Sequence, residues 1–250
     1  MKAIHTRPGH ANHSIRKGGC IMALGNSARL IEERQYLREG ETELSERSFN
    51  LVIGGVLLWG FLLNYLMVAL FGAQLTQFVA DSNPLILLIG YIALVIVGSI
   101  LIGKDSAALS FLGYNLIALP IGVLVCACVD GIPVSIVKSA VLVTAIVTLS
   151  FMIAATLFPG FFLKMGRALG WGLLAAIVAE LVVTLIFRVR TTIFEYLFVG
   201  LFSLFIGYDW ARANTCARTL NNAIDLAASL YLDIINLFLR VLEIMSRKRD

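Results

Sequence analysis

Two aspartates stand where carboxylates are expensive. Asp233 interrupts the apolar run LYLDIINLF (Leu230 to Phe238), and Asp209 lies in FIGYDW (Phe205 to Trp210). They are 24 residues apart, with Asn221-Asn222 midway between them. An Asn-Asn pair is a turn signal. A turn there would leave each aspartate 12 residues from it. Two antiparallel helices would then carry both carboxylates to the same depth. Facing carboxylates cannot both ionise cheaply. Such a pair holds one proton between them and titrates as a unit, which suits it to sensing pH. Fully ionised, it also offers hard oxygen ligands suited to Ca²⁺. The plainer alternative is that each aspartate caps or hydrogen-bonds a neighbouring helix.

Other ionisable groups sit in apolar surroundings, where a charge costs at least about 2.5–3.5 kcal/mol on insertion scales. Asp225, Ser229, Asp233, Asn236 and Arg240 recur at steps of three and four, which is one helical face. The rest of that segment is Leu, Ile, Phe and Ala, so the polar stripe must face protein or water rather than lipid. Arg240 lies about 10 Å along the axis from Asp233, too far for a direct bond, and is expected to reach the outer interface. Glu180 stands alone in AAIVAELVVTLIF. It is either a third carboxylate lining the same cavity or a cross-bundle hydrogen-bonding group. Lys138 and Glu195 fall near segment ends and read as structural.

The inventory excludes most enzymes. His5, His10 and His13 all lie near the N-terminus, so no buried Ser-His-Asp or His-based metal site is available. No glycine loop with its lysine is present to cradle phosphate. Cys126 and Cys128 lie in an apolar run and read as small hydrophobes. With Cys20 and Cys216 they form neither zinc spacing nor a disulfide framework. No cofactor is expected beyond Ca²⁺ as a bound or transported ion.

The elements that must position these groups follow from hydropathy. Of 250 residues, 59% are hydrophobic and only 14% charged, and the mean hydropathy is +0.87. Soluble domains carry about 25% charged residues, so the chain reads as an integral membrane protein. A span needs about 20 mainly apolar residues. Seven candidates emerge: 51–71, 84–103, 109–129 with a kink expected at Pro120, 134–157, 168–187, 191–211 and 226–245. Pro84 and Pro133 sit at starts, where a missing N–H costs nothing. Short connections imply one helical bundle over residues 50–250. Residues 1–49 form a polar, flexible tail without a cleavable signal, Met22 being an alternative start; 28–48 could lie as a surface helix.

The net charge of +4 shows no aromatic-interleaved patch, so nucleic acid is not expected, and Lys and Arg are read as topology signals. Eight of them in the tail place the N-terminus in the cytoplasm. The loop at 72–83 has none, Lys104 follows, 130–133 has none, and Lys164 and Arg167 come next, all alternating correctly. Arg188, Arg190 and the terminal Arg247, Lys248 and Arg249 then fall on the outside. The basic C-terminus therefore fits seven full crossings poorly, but seven remains the expectation.

FIGYDW and AASLYLDIINLFLRVLEIM (Ala227 to Met245) together resemble the transmembrane Bax inhibitor motif, or Bax inhibitor-1, family. Its pattern is Gly-Tyr-Asp near the end of the sixth helix and Leu-Tyr-Leu-Asp-Ile-x-Asn-Leu-Phe in the seventh. The resemblance implies an all-α, seven-transmembrane-helix bundle with the last helix central. It implies a pH-sensitive calcium leak of the cell membrane, with Asp209 and Asp233 as sensor, gate and possible Ca²⁺ ligands. Members can carry an arginine on the second helix that pairs with one aspartate. Here the nearest basic residue is Lys104, which lacks the bidentate fork of arginine. Lys104, Glu180, Asn236 and Arg240 are the candidate lock or pathway residues.

Three functional classes follow. The first is a cation leak whose partners are the bilayer, Ca²⁺ and protons. The second is a membrane-embedded regulator, a modulator of a membrane protease or stress response, acting through the tail on a membrane-protein partner. The third is an intramembrane hydrolase, which the sequence disfavours: the second aspartate has no glycine pair nearby.

Overall fold

The computed structural model describes residues 42–187 and 192–247. The three histidines, Met22, most of the expected 28–48 surface helix, and Arg188, Arg190, Lys248 and Arg249 lie outside the described residues. What is described is helical, in eight elements: α1 Glu46–Asp81, α2 Pro84–Ile102, α3 Ala107–Val129, α4 Val134–Leu157, α5 Pro159–Leu163, α6 Gly166–Phe187, α7 Thr192–Ala213 and α8 Leu220–Arg247.

α1 begins earlier and ends later than its hydropathy suggests. Ser45 caps it, its Oγ accepting from the Ser48 N–H at 3.1 Å, and Glu46 supplies an acidic group in the first turn. The 36-residue helix then runs to Asp81. The expected loop at 72–83 is therefore mostly helix, and the turn is only Ser82 and Asn83. The reason is local. GAQLTQFVAD contains good helix formers, and Gln77 Nε2 donates to both Asp81 carboxylate oxygens at 2.9 Å, one turn on. A fall in hydropathy marks where a helix leaves an apolar environment, not where its backbone ladder stops.

Asn83 then caps α2, its Oδ1 accepting from the Leu85 N–H at 2.9 Å, with Pro84 in the first turn. α3 runs unbroken through Pro120, and α4 matches its expected range. Pro159 starts a five-residue helix, α5, within what reads as a loop. α2 and α3 cross where two glycines meet. A Cβ on Gly98 would sit 2.7 Å from the Gly113 carbonyl oxygen, a contact no side chain could keep.

Six of these helices are long and apolar enough to cross a membrane: α1, α2, α3, α4, α6 and α7. α8 is not among them, so six of the seven expected apolar spans are matched. Its 28 residues include Asp225, Asp233, Arg240 and Glu243. Its burial is the reverse of its polarity. From Asn221 to Arg247 no residue is exposed, and Leu230, Tyr231 and Leu237 are sealed completely. α8 packs against α1, α3, α4 and α7. The other long helices turn large apolar side chains outward, among them Leu58, Ile89, Leu142 and Leu181.

Hydrogen bonds fix which ends lie together. The Leu44 N–H donates to the Arg218 carbonyl at 2.7 Å, so the start of α1 meets the connector between α7 and α8. Asn221 Nδ2 donates to the Lys104 carbonyl at 3.2 Å, which brings the α2–α3 turn to the same end.

Candidate functional site

Asp209 and Asp233 come together between α7 and α8. Their carboxyl groups lie within hydrogen-bonding reach of each other, and both residues are buried. Asp233 Oδ2 is buried and receives no hydrogen bond from an N–H or alcohol donor. A cation completes the group. Arg212 Nη1 lies 2.8 Å from Asp209 Oδ1, three residues later on α7. Its guanidinium also lies 5.6 Å from the centre of the Tyr208 ring, a cation–π distance. The Arg212 side chain keeps 22% of its surface exposed against 8% for that of Asp209. It therefore lies between the buried carboxyls and the surface at this end of the bundle.

The turn that makes the pairing is not the one the spacing suggests. Asn221 and Asn222 belong to the first turn of α8. Thr219 caps that helix, its Oγ1 accepting from the Asn222 N–H at 3.2 Å. The break lies at residues 214–219 instead. Asp209 is thus four residues from the end of α7, while Asp233 is thirteen residues past the start of α8. The difference, nine residues or about 13 Å of helix, is taken up by the connector, since six residues can span about 20 Å when extended. The carboxyls meet because α8 starts well beyond the end of α7, not because a tight turn lies midway. Asn221 serves the join differently: Ser110 Oγ donates to its Oδ1 at 2.9 Å.

The residues around Asp209 each dock a different neighbour. A Cβ on Gly207 would enter the Phe162 ring of α5, so glycine is what lets α5 close against α7. Tyr208 lies over Gly166, the first residue of α6. Trp210 Nε1 donates to Thr156 Oγ1 of α4 at 2.9 Å. Gly-Tyr-Asp-Trp is therefore a four-way junction that holds Asp209 against α8.

The remaining candidates are placed elsewhere. Lys104 is exposed, and it is its carbonyl that meets α8, at Asn221. The cation on Asp209 is Arg212, three residues later on α7. Asn236 Nδ2 donates to the Leu232 carbonyl of its own helix at 2.7 Å. Arg240 does not run out to the interface. Its Nη1 contacts Glu180 Oε1 of α6 at 3.1 Å and Glu195 Oε2 of α7 at 3.0 Å. Its guanidinium lies 4.1 Å from the centre of the Phe198 ring. Glu180 is thus an ion-pair partner of Arg240 rather than a third carboxylate beside the aspartates. Glu195, read from sequence as an end residue, is only 3% exposed. Cys126 is buried and Cys128 exposed, both as free thiols.

Sequence reasoning missed Arg212. Its signal was present: an Asp and an Arg at i and i+3 in YDWAR are neighbours on a helix surface. The Thr-x-x-Asn cap at 219–222 was likewise readable.

With the polar face of α8, the Gly-Tyr-Asp-Trp junction and the helical bundle in place, the comparison with known families is decisive. Residues 43–250 match the family described as Inhibitor of apoptosis-promoting Bax1. The chain belongs to the Bax inhibitor-1 family. The match begins two residues before the cap of α1 and takes in every described helix, so the whole bundle is the family domain. No curated protein matches the chain. Family membership and the six apolar helices together make this a multi-pass membrane protein.

Proposed function

We propose that this Bax inhibitor-1 family chain is a pH-sensitive leak for Ca²⁺, with Asp209 and Asp233 as proton sensor and cation-contacting pair. One observation carries the reading. Two carboxyls from different helices face each other in the interior of a membrane bundle, with one oxygen lacking an N–H or alcohol donor. Burying such a pair is costly, and purely structural needs are met more cheaply by apolar residues. Protons and Ca²⁺ would compete for the same oxygens, so acid displaces the metal, and the charge on the pair sets whether α7 and α8 attract or repel.

In this reading α8 is the seventh crossing and the central one, in the cell membrane with the N-terminus cytoplasmic. At 1.5 Å per residue its 28 residues reach about 42 Å, more than the hydrocarbon core. Its charges are tolerable because protein surrounds them and two of them are paired across helices. Arg212 is the lock: it neutralises Asp209 at the mouth of the site. The chain is not an enzyme in this account, and the bilayer, Ca²⁺ and protons are its partners.

The test is Ca²⁺ influx into proteoliposomes from pH 6 to pH 8, comparing wild type with Asp209→Asn and Asp233→Asn, each shown to be folded. A pH-dependent flux that either substitution flattens supports the reading. Wild-type vesicles that leak no faster than empty ones at every pH overturn it.

The family description, an inhibitor of Bax1, favours a second reading in which the chain regulates a membrane-protein partner and conducts nothing. A leak survives removal of residues 1–41, whereas control of a partner through that segment does not.

A further inference from the structure

The far part of α8 carries a second charged junction. Arg240 lies seven residues beyond Asp233, about 10 Å along the axis, on the same polar face. Glu180 reaches it from α6 and Glu195 from α7, with a second guanidinium contact to Glu180 Oε2 at 3.4 Å. From α8 itself, Arg247 lies 3.9 Å from Glu195 Oε1 and also pairs with Glu243. Phe198 covers the guanidinium face. Three helices thus converge on one cation, and the two glutamates leave the Arg240 triad with a formal net charge of −1.

Packing alone does not call for this arrangement. A helix clamp needs one acid, and apolar residues of similar volume would join these helices without burying Glu195 and half-burying Arg240 and Glu180. What a fixed charge cluster beyond the Asp209–Asp233 pair does supply is an electrostatic setting for any cation moving along the α7–α8 seam. The carboxylates attract it, and the guanidinium, already seated between them, repels it and holds the oxygens occupied. Field from fixed charges in a low-dielectric wall acts strongly on a mobile ion.

We propose that the Arg240–Glu180–Glu195 triad is a second electrostatic station on the cation route, and that its net charge sets how fast divalent cations pass. This rests on the leak reading for the aspartate pair and adds the residues that set throughput and valence preference.

The experiment is a charge series in proteoliposomes at one pH, with Ca²⁺ and K⁺ fluxes measured for wild type, Glu180→Gln, Arg240→Gln and the double variant E180Q/R240Q. Glu180→Gln keeps a hydrogen bond to Arg240 and removes one negative charge; Arg240→Gln removes the positive one. Counter-ion concentration at a fixed charge predicts a Ca²⁺ flux lowered about three- to tenfold in Glu180→Gln and raised by a similar factor in Arg240→Gln. K⁺ flux changes less in both, and the double variant falls between the singles. A clamp that only holds helices together gives another pattern: Arg240→Gln and the double variant behave alike, and Ca²⁺ and K⁺ change in parallel. That pattern, or no change in either single variant while wild type leaks, overturns the proposal. Should Arg240→Gln fail to fold, Glu180→Gln decides it by the direction of its Ca²⁺-to-K⁺ ratio. A wild-type chain without flux defeats the leak reading itself and this proposal with it, which is distinguishable from a leaking wild type with an unresponsive triad.

Discussion

Arg212 Nη1 sits 2.8 Å from Asp209 Oδ1, one helical turn later on α7, and Asp209 in turn faces Asp233 on α8. The pair of carboxyls and its counter-ion therefore come from two adjacent helices at one end of the bundle. The charge on Asp209 is balanced within its own helix.

Replacing Arg212 with Gln removes a positive charge beside the pair. A carboxyl without its cation gives up its proton less readily. The expected result is that the pH midpoint of Ca²⁺ flux moves upward relative to wild type. Arg212→Lys keeps the charge and should move it less. A midpoint that stays put in Arg212→Gln would remove Arg212 from the sensor.

Gly207→Ala tests the junction beneath Asp209. The new methyl would enter the space of the Phe162 ring, and overpacking of this kind costs about 1–3 kcal/mol. Thermal unfolding in detergent should show a lowered Tm. Phe162→Leu in the same chain should recover part of the loss, because the clash is with that ring.

Asn221→Ala examines the other join. Asn221 is 8% exposed, and its carboxamide links Ser110 on α3 to the Lys104 carbonyl. Losing a buried hydrogen-bonding group costs about 1–3 kcal/mol. A double-mutant cycle with Ser110→Ala should show coupling, since both residues share one bond.

Removal of residues 1–41 separates transport from partner control. The truncated chain retains the cap of α1 and all described helices, so its pH-dependent flux should match the full chain. Loss of flux in a folded truncated protein would move the function toward the N-terminal segment.

Much of this was legible in the residues. Proline at the starts of α2 and α4, and apolar runs of membrane length, located five helices (α2, α3, α4, α6 and α7) to within two residues at each end. The Gly-Tyr-Asp and Leu-Tyr-Leu-Asp segments pointed to the family and to Asp209 with Asp233 as partners. Local propensity and hydropathy act over neighbouring residues, so a linear reading reaches them. It failed where hydropathy stood in for backbone structure. α1 continues to Asp81 on polar residues, and α8 is the most enclosed helix in spite of its charges.

What only the tertiary structure decided is which charge meets which. The midpoint between the aspartates is a helix start, and the offset between α7 and α8 depends on how the connector climbs past the end of α7. Arg240 was assigned to the interface, yet it binds Glu180 and Glu195 from two other helices. Residues 45 and 60 positions away in sequence become neighbours only through packing. No periodicity along one segment records the rotation and shift of another. The sequence by itself determined a helical membrane protein of the Bax inhibitor-1 type with a carboxylate pair; the packing determined that Arg212, not Lys104, sits on that pair, because helix register is set by side chains meeting in space.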